Sequence, residues 1–230
     1  MGASKNRSTL FFRFGVIKMN ENIINFYLIA NRLKEKIRTG WIEVGISCDR
    51  LESVAEHIYG CLILAIAIDS EYKLDVDMYK VLKMLALHEL EETIMKDFTI
   101  RDNISKDEKI KKGRECVKKV TKGLLNQQEI IDLLEEFNGH KTKESLFCYR
   151  VDKIECDFQA KLYDLKGYFE INNALEDLSY FGEEGLLIKD KIKTASDVWI
   201  EYDKKRYKDD EIFTNLINDI QNCKDWKINV

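Results

Sequence analysis

The chain has 230 residues, 45% of them hydrophobic and 34% charged, with a formal net charge of −4. That composition suits a soluble globular chain with one sizeable core, and it lacks the single-sign charge that wrapping nucleic acid would need. Proline is absent, which favours long helices with short connections and excludes a proline-rich linker.

The six cysteines, at 48, 61, 116, 148, 156 and 223, include no C-x-x-C pair. A chain of this size needs no disulfide framework, so the thiols read as reduced and the compartment as cytoplasmic. Cys61 reads as a small apolar residue on a helix face. The longest apolar run, over 61–68, is far too short to cross a bilayer, and the N-terminus lacks a signal-peptide apolar core. Nothing points to a membrane or nucleic-acid partner. Residues 1–18 read as an extension, with a single folded domain over 19–230.

Residues 20–38 place Ile23, Phe26, Tyr27, Leu33 and Ile37 at helical spacing, with Gly40 as the stop. A polar loop is expected over 42–51. Ser53-Val54-Ala55-Glu56 is a capping-box pattern, so a helix should start there, with His57 in its first turn and a half. This helix is apolar on most sides as far as Ile68, which predicts a place at the centre of a bundle. A histidine at its mouth then needs a hydrogen-bond partner or a metal.

Residues 75–95 predict the next helix. If it is continuous, His88, Glu89 and Glu92 crowd one end of one face, and Asp97 joins them only if the chain turns back near Met95. Ser105 to Glu108 is a second capping box, opening a helix to about Leu125. A shorter helix over 127–137, a loop at 138–140 with His140 on the surface, and a long helix over 144–169 follow. Asp152 lies close to the apolar face of that last helix. Segments 172–180, 184–207 and 210–222 give three more amphipathic helices. No strand-like alternation persists, so the expected class is all-α.

His57, His88, Glu89 and Asp152 thus stand on three predicted helices. Two imidazoles with two carboxylates form a mixed nitrogen and oxygen donor set, fit for a divalent Mn, Co, Fe, Ni or Zn ion. The alternative is a hydrogen-bonded core histidine at 57, with Asp152 paired to Arg150 or Lys153.

These segments resemble the HD-domain metal-dependent phosphohydrolases, specifically the bacterial 5′-deoxynucleotidase and its close relatives. The matching strings are Arg38-Thr39-Gly40-Trp41, Glu52-Ser53-Val54-Ala55-Glu56-His57, His88-Glu89-x-x-Glu92 with Asp97, and Asp152, spread over residues 20–170. The resemblance implies an HD-type helical bundle with additional C-terminal helices, and one divalent transition-metal ion held by His57, His88, Glu89 and Asp152. It implies hydrolysis of nucleoside 5′-monophosphates, deoxynucleotides foremost, by a homodimer. Arg38 would orient the substrate phosphate, and Glu92 would be the catalytic glutamate or the partner of a ligand histidine. Trp41 would lie against the sugar, unless it is a helix-end aromatic packed on the core. Asp97, Phe98, Thr99 and Ile100 would line the nucleoside pocket.

One departure matters. The His-Asp pair of the family is His88-Glu89 here, and the extra methylene displaces the carboxylate by more than about an ångström unless the backbone compensates. Two other readings therefore stand beside the first: a hydrolase of another small phosphoester or a nucleoside triphosphate, and a non-catalytic metal- or nucleotide-binding module.

Overall fold

The structure, a computed structural model, describes residues 20–225. Among the described residues the chain is helical, with one isolated antiparallel bridge between Ile37 and Ser53. Helix α1 covers residues 20–30, and α2 (Thr39–Glu43) is a short turn of helix. They are followed by α3 (Val54–Tyr72), α4 (Met78–Leu87), α5 (Lys106–Val120), α6 (Gln127–Gly139) and α7 (Lys143–Leu165). The C-terminal part adds α8 (Ile171–Glu176), α9 (Glu183–Ile188), α10 (Asp197–Asp203) and α11 (Glu211–Asn222). The segment read as an extension, 1–18, lies outside the described residues.

The helix starts follow local chemistry. Ser53 accepts from the Glu56 amide while the Glu56 carboxylate accepts from the Ser53 amide, the reciprocal box expected for α3. Ser105 accepts from the Glu108 amide at the start of α5. Thr142 and Ser145 form a second reciprocal box at α7, with serine in the place usually held by glutamate. Asp210 opens α11 by accepting from the amides of Ile212 and Phe213.

The centre of the bundle is α7, not α3. Twelve residues of α7 are buried, against five of α3, and α7 packs against α3, α4, α6, α10 and α11. Helix α3 is apolar all round, yet it buries only Val54, His57, Cys61, Ala65 and Ile68, and leaves Tyr59, Ile63 and Ile66 exposed. One buried cluster joins α3, α4, α6, α7 and α11 around Met84, Val151, Ile154 and Ile217. A second joins α2, α7 and the C-terminal helices around Tyr163, Phe181 and Val198.

Three expected helices are interrupted, each without a proline. The first ends in a 3₁₀ turn at Asn31–Lys34 because the next residues pair with the chain before α3: the Val54 amide donates to the Lys36 carbonyl at 2.8 Å and the Arg38 amide to the Glu52 carbonyl at 3.1 Å. The second ends at Leu87, and residues Leu90–Thr93 form a separate 3₁₀ turn. The third breaks before α10, where the Asp197 carboxylate accepts from the amides of Lys193 and Thr194. Conversely, the loop expected at 138–140 is the end of α6, closed by His140 in the left-handed conformation at φ 47°.

Candidate metal centre and the adjoining cavity

His57 lies in the first turns of α3 and is fully buried. His88 is the residue on which α4 ends, also buried, and Asp152 comes from the middle of α7. The two imidazole Nε2 atoms are 3.3 Å apart. Asp152 Oδ1 is 3.2 Å from the first and 3.8 Å from the second, and Glu89 Oε1 is 3.9 and 3.6 Å from the same pair. The four expected ligand residues therefore converge, although not on one helical face. Glu89 lies outside the helix (φ −105°, ψ 18°), and from there its carboxylate reaches the imidazoles. Burial favours its neutral form, but His88 and then His57 outweigh that and lower the Glu89 pKa to about 2. Lys153 pairs with the other oxygen of Asp152 at 2.9 Å, so Asp152 faces the histidines and the lysine together.

The protonation pattern shows why a cation fits. His57 Nδ1 meets the Glu155 carboxylate in a short contact, and His88 Nδ1 lies 2.7 Å from the Leu85 carbonyl. Both partners are acceptors, so a ring that holds its proton on Nδ1 would offer the Nε2 lone pair to a cation. Two lone pairs and two carboxylates then face one another across less than 4 Å, an arrangement of acceptors that a divalent ion satisfies. The tightest group of donor atoms is His57, Cys61, His88 and Asp152, with Glu89 outside it, but the Cys61 sulfur is 3.8 and 3.6 Å from the two ring nitrogens of His57. Near-equal distances put it over the imidazole face rather than on the lone pair. Burial pushes its thiol up to about 12, as suits a small apolar packing residue.

Glu155 was not singled out from the sequence. It lies three residues after Asp152, on the same face of α7, and is buried. A Cβ added at Gly60 would overlap its carboxylate, so the glycine lets Glu155 reach His57. The legible signal was a glycine in an apolar helix interior, three residues after a histidine, where it would otherwise weaken the helix.

Arg38 links the ligand cluster to a cavity. It caps α2 in an extended conformation, its guanidinium donates to Cys156 Sγ at 3.1 Å, and its Nε is 3.9 Å from Glu52. Asp97 holds the same corner by accepting from the Thr39 amide at 2.7 Å. The residues expected to bind substrate (Arg38, Trp41, Asp97, Phe98, Thr99 and Ile100) all line one cavity of about 240 Å³. Trp41 enters as a fixed wall: it is 6% exposed, its indole N–H donates to Glu52 Oε2 at 2.7 Å, and its ring meets Tyr163 edge to face.

Glu92 is buried behind Glu89, with Lys36 Nζ 3.8 Å from its carboxylate. Burial, then Glu89 and Asp97, push its pKa up to about 10. Lys36 also donates to the carbonyls of Glu92 and Met95, at 2.7 and 2.5 Å, and so pins the turn. A larger cavity of about 520 Å³ opens on His88, Glu89 and Asp152 from the other side. His140, expected at the surface, is half-buried in its wall and lies tilted against the Tyr149 ring at 4.1 Å, because the end of α6 packs on α7.

An all-helical bundle with a His/His/carboxylate cluster at the junction of three helices is the architecture of an HD-type phosphohydrolase. The HD domain family matches residues 30–184, and the chain belongs to that family. It is 30% identical over 167 residues to the 5′-deoxynucleotidase HDDC2 of Dictyostelium discoideum, covering 70% of this chain and 86% of that protein. It is 32% identical over 174 residues to the 5′-deoxynucleotidase hdd1 of Schizosaccharomyces pombe, covering 73% and 83%. A solved structure from Pyrococcus horikoshii shares the fold at a TM-score of 0.62 and 23% identity, over 86% of this chain and 97% of that one. The protein is an HD-domain phosphohydrolase related to the 5′-deoxynucleotidases. Among the described residues no helix is long and apolar enough to cross a membrane.

Proposed function

We propose that the protein releases phosphate from nucleoside 5′-monophosphates, with deoxynucleotides preferred, using one divalent transition-metal ion held by His57, His88, Glu89 and Asp152. The observation that carries this reading is the convergence of His57, His88, Glu89 and Asp152, with Lys153, the partner of Asp152, lining a neighbouring cavity together with Arg38 and Asp97. The names of the two relatives support the choice of substrate.

A divalent ion bound there supplies Lewis-acid polarisation of a phosphoryl oxygen and makes water more acidic. Arg38 binds the phosphate with paired donors and offsets the charge that develops in transfer. Glu92 is the group that takes or returns a proton at the attacking water. The P–O5′ bond breaks as a water oxygen bonds to phosphorus, the 5′-oxygen takes up a proton, and nucleoside and inorganic phosphate leave. Asp97 and residues 98–100 hold the nucleoside, with Trp41 as a rigid wall beside the sugar.

The protein acts as a cytoplasmic homodimer with no nucleic-acid partner; the exposed Tyr59, Ile63 and Ile66 on one face of α3 favour the dimer. One observation favours a nucleoside triphosphate as the alternative substrate: the larger cavity opens on the same ligands and is lined by Lys106, Lys109 and Arg114. Phosphate release from a panel of deoxynucleoside and nucleoside mono- and triphosphates, with Mn²⁺ or Co²⁺ added, tests both. Deoxynucleoside monophosphates should have the highest kcat/KM. Metal bound with no phosphate released from any monophosphate would overturn the reading.

A further inference from the structure

The cavity beside Arg38 has a second wall that lies outside the family match. The HD domain match ends at residue 184, yet Trp199, Tyr202, Asp203 and Arg206, on α10 and the turn after it, line the cavity together with Asp157 of α7. Two of these residues carry buried polar atoms without a hydrogen-bond partner: Trp199 Nε1 and Asp157 Oδ1. Only one other such atom occurs among the described residues, on Asp177, and Asp177 is already bound to Arg101 through its other oxygen.

An occluded donor or acceptor left unpaired destabilises the fold, and native structures keep few of them. Asp157 is 1% exposed and uses its other oxygen to accept from Tyr207 Oη at 3.1 Å. Both residues line the cavity, so a molecule that fills it lies beside these two unpartnered groups.

We propose that this α7–α10 wall is a base-recognition subsite, in which the Trp199 indole N–H and the Asp157 carboxyl bind the hydrogen-bonding edge of a nucleobase. The ligand class is a nucleobase edge that places an acceptor beside an N–H, and the inference rests on the nucleotide reading above. Burial, and then the adjacent Asp203, push the Asp157 carboxyl well above the ordinary range, so it can donate as well as accept. The flat rings of the same cavity suit a base: Trp199 packs edge to face on Phe181 at 5.6 Å, and Tyr202 stacks on Phe181 at 3.9 Å. These contacts hold the wall in place through the 3₁₀ turn Asp177–Phe181 and α10, which pack together. The C-terminal helices then contribute to specificity rather than only closing the bundle.

The test compares deoxynucleoside 5′-monophosphates with deoxyribose 5-phosphate, which has the same phosphate and sugar but no base. The enzyme is loaded with Mn²⁺ or Co²⁺, and wild type, Trp199→Phe and Asp157→Asn are assayed. Wild type should favour the nucleotide in kcat/KM. Trp199→Phe, which keeps the ring and loses only the N–H, should reduce that preference about tenfold, equivalent to about 1.4 kcal/mol. A wild-type enzyme that hydrolyses both substrates equally, or variants that keep the wild-type ratio, would overturn the subsite while leaving the phosphohydrolase reading intact. If neither substrate yields phosphate, the function reading fails, and equilibrium dialysis of a deoxynucleoside against the metal-loaded protein decides the subsite. Binding that weakens in Trp199→Phe supports it, and no binding to wild type overturns it. Should Trp199→Phe not fold, Asp157→Asn and the wild-type ratio carry the same decision.

Discussion

At Glu89 the side chain is longer than the aspartate of the family pattern, and its carboxylate still reaches both imidazoles. The residue sits outside the helix and its Oε1 comes within 3.9 Å of both imidazoles. Glu155 governs the other half of the site. Its carboxylate meets Nδ1 of His57, so it would hold that proton and leave Nε2, which faces Asp152 and His88, to a metal ion. Losing such a partner typically costs a metal site roughly 10–100-fold in affinity. Glu155→Ala should therefore weaken Co²⁺ or Mn²⁺ binding by about that factor in a competition titration, and Glu155→Gln, which can still accept from Nδ1, should recover part of it. Unchanged affinity in the alanine variant would show that His57 is held by packing alone.

Helix α3 is the element whose sequence and environment disagree most. Its composition reads as a central helix, but Tyr59, Ile63 and Ile66 face outward at spacings of four and three residues. An exposed apolar stripe of this kind marks an interface, which is why a second copy is proposed to cover it. Light scattering should give twice the chain mass for wild type, and Ile63→Glu should halve it without loss of helical signal. A monomeric wild type at micromolar concentration would remove α3 from that role. Other features of the elements were legible in advance. The Ser53 box fixed the start of α3 and so the depth of His57, and period-3.6 patterning located α4, α6 and α7. The helix end at Leu87 was not legible, since neither glycine nor proline marks it and the turn depends on contacts made by His88 and Lys36. The gap before α10 was hidden for a similar reason: the Asp197 side chain organises it, and aspartate is equally common on a helix surface.

For the whole molecule, three segments far apart in sequence build one site. The chain around residues 36–38 is tied to the start of α3 by backbone pairing, α4 delivers His88 and Glu89 at its end, and α7 runs through the middle with Asp152, Glu155 and Asp157. The meeting of His57, His88, Glu89 and Asp152 was expected from the resemblance of their strings to a family pattern, whereas the single helical face expected for His88 and Glu89 was not formed. The contribution of α10 to the cavity was not legible, since only tertiary packing brings residues 199–206 beside Arg38. The most direct measurement is a metal titration of chelator-stripped protein, following bound ion and phosphate released from a deoxynucleoside 5′-monophosphate together. Phosphate release should rise from near zero in proportion to bound metal and level off at about one ion per chain, the stoichiometry of a single open catalytic site. Undiminished phosphate release from protein shown to hold no metal would contradict the central claim.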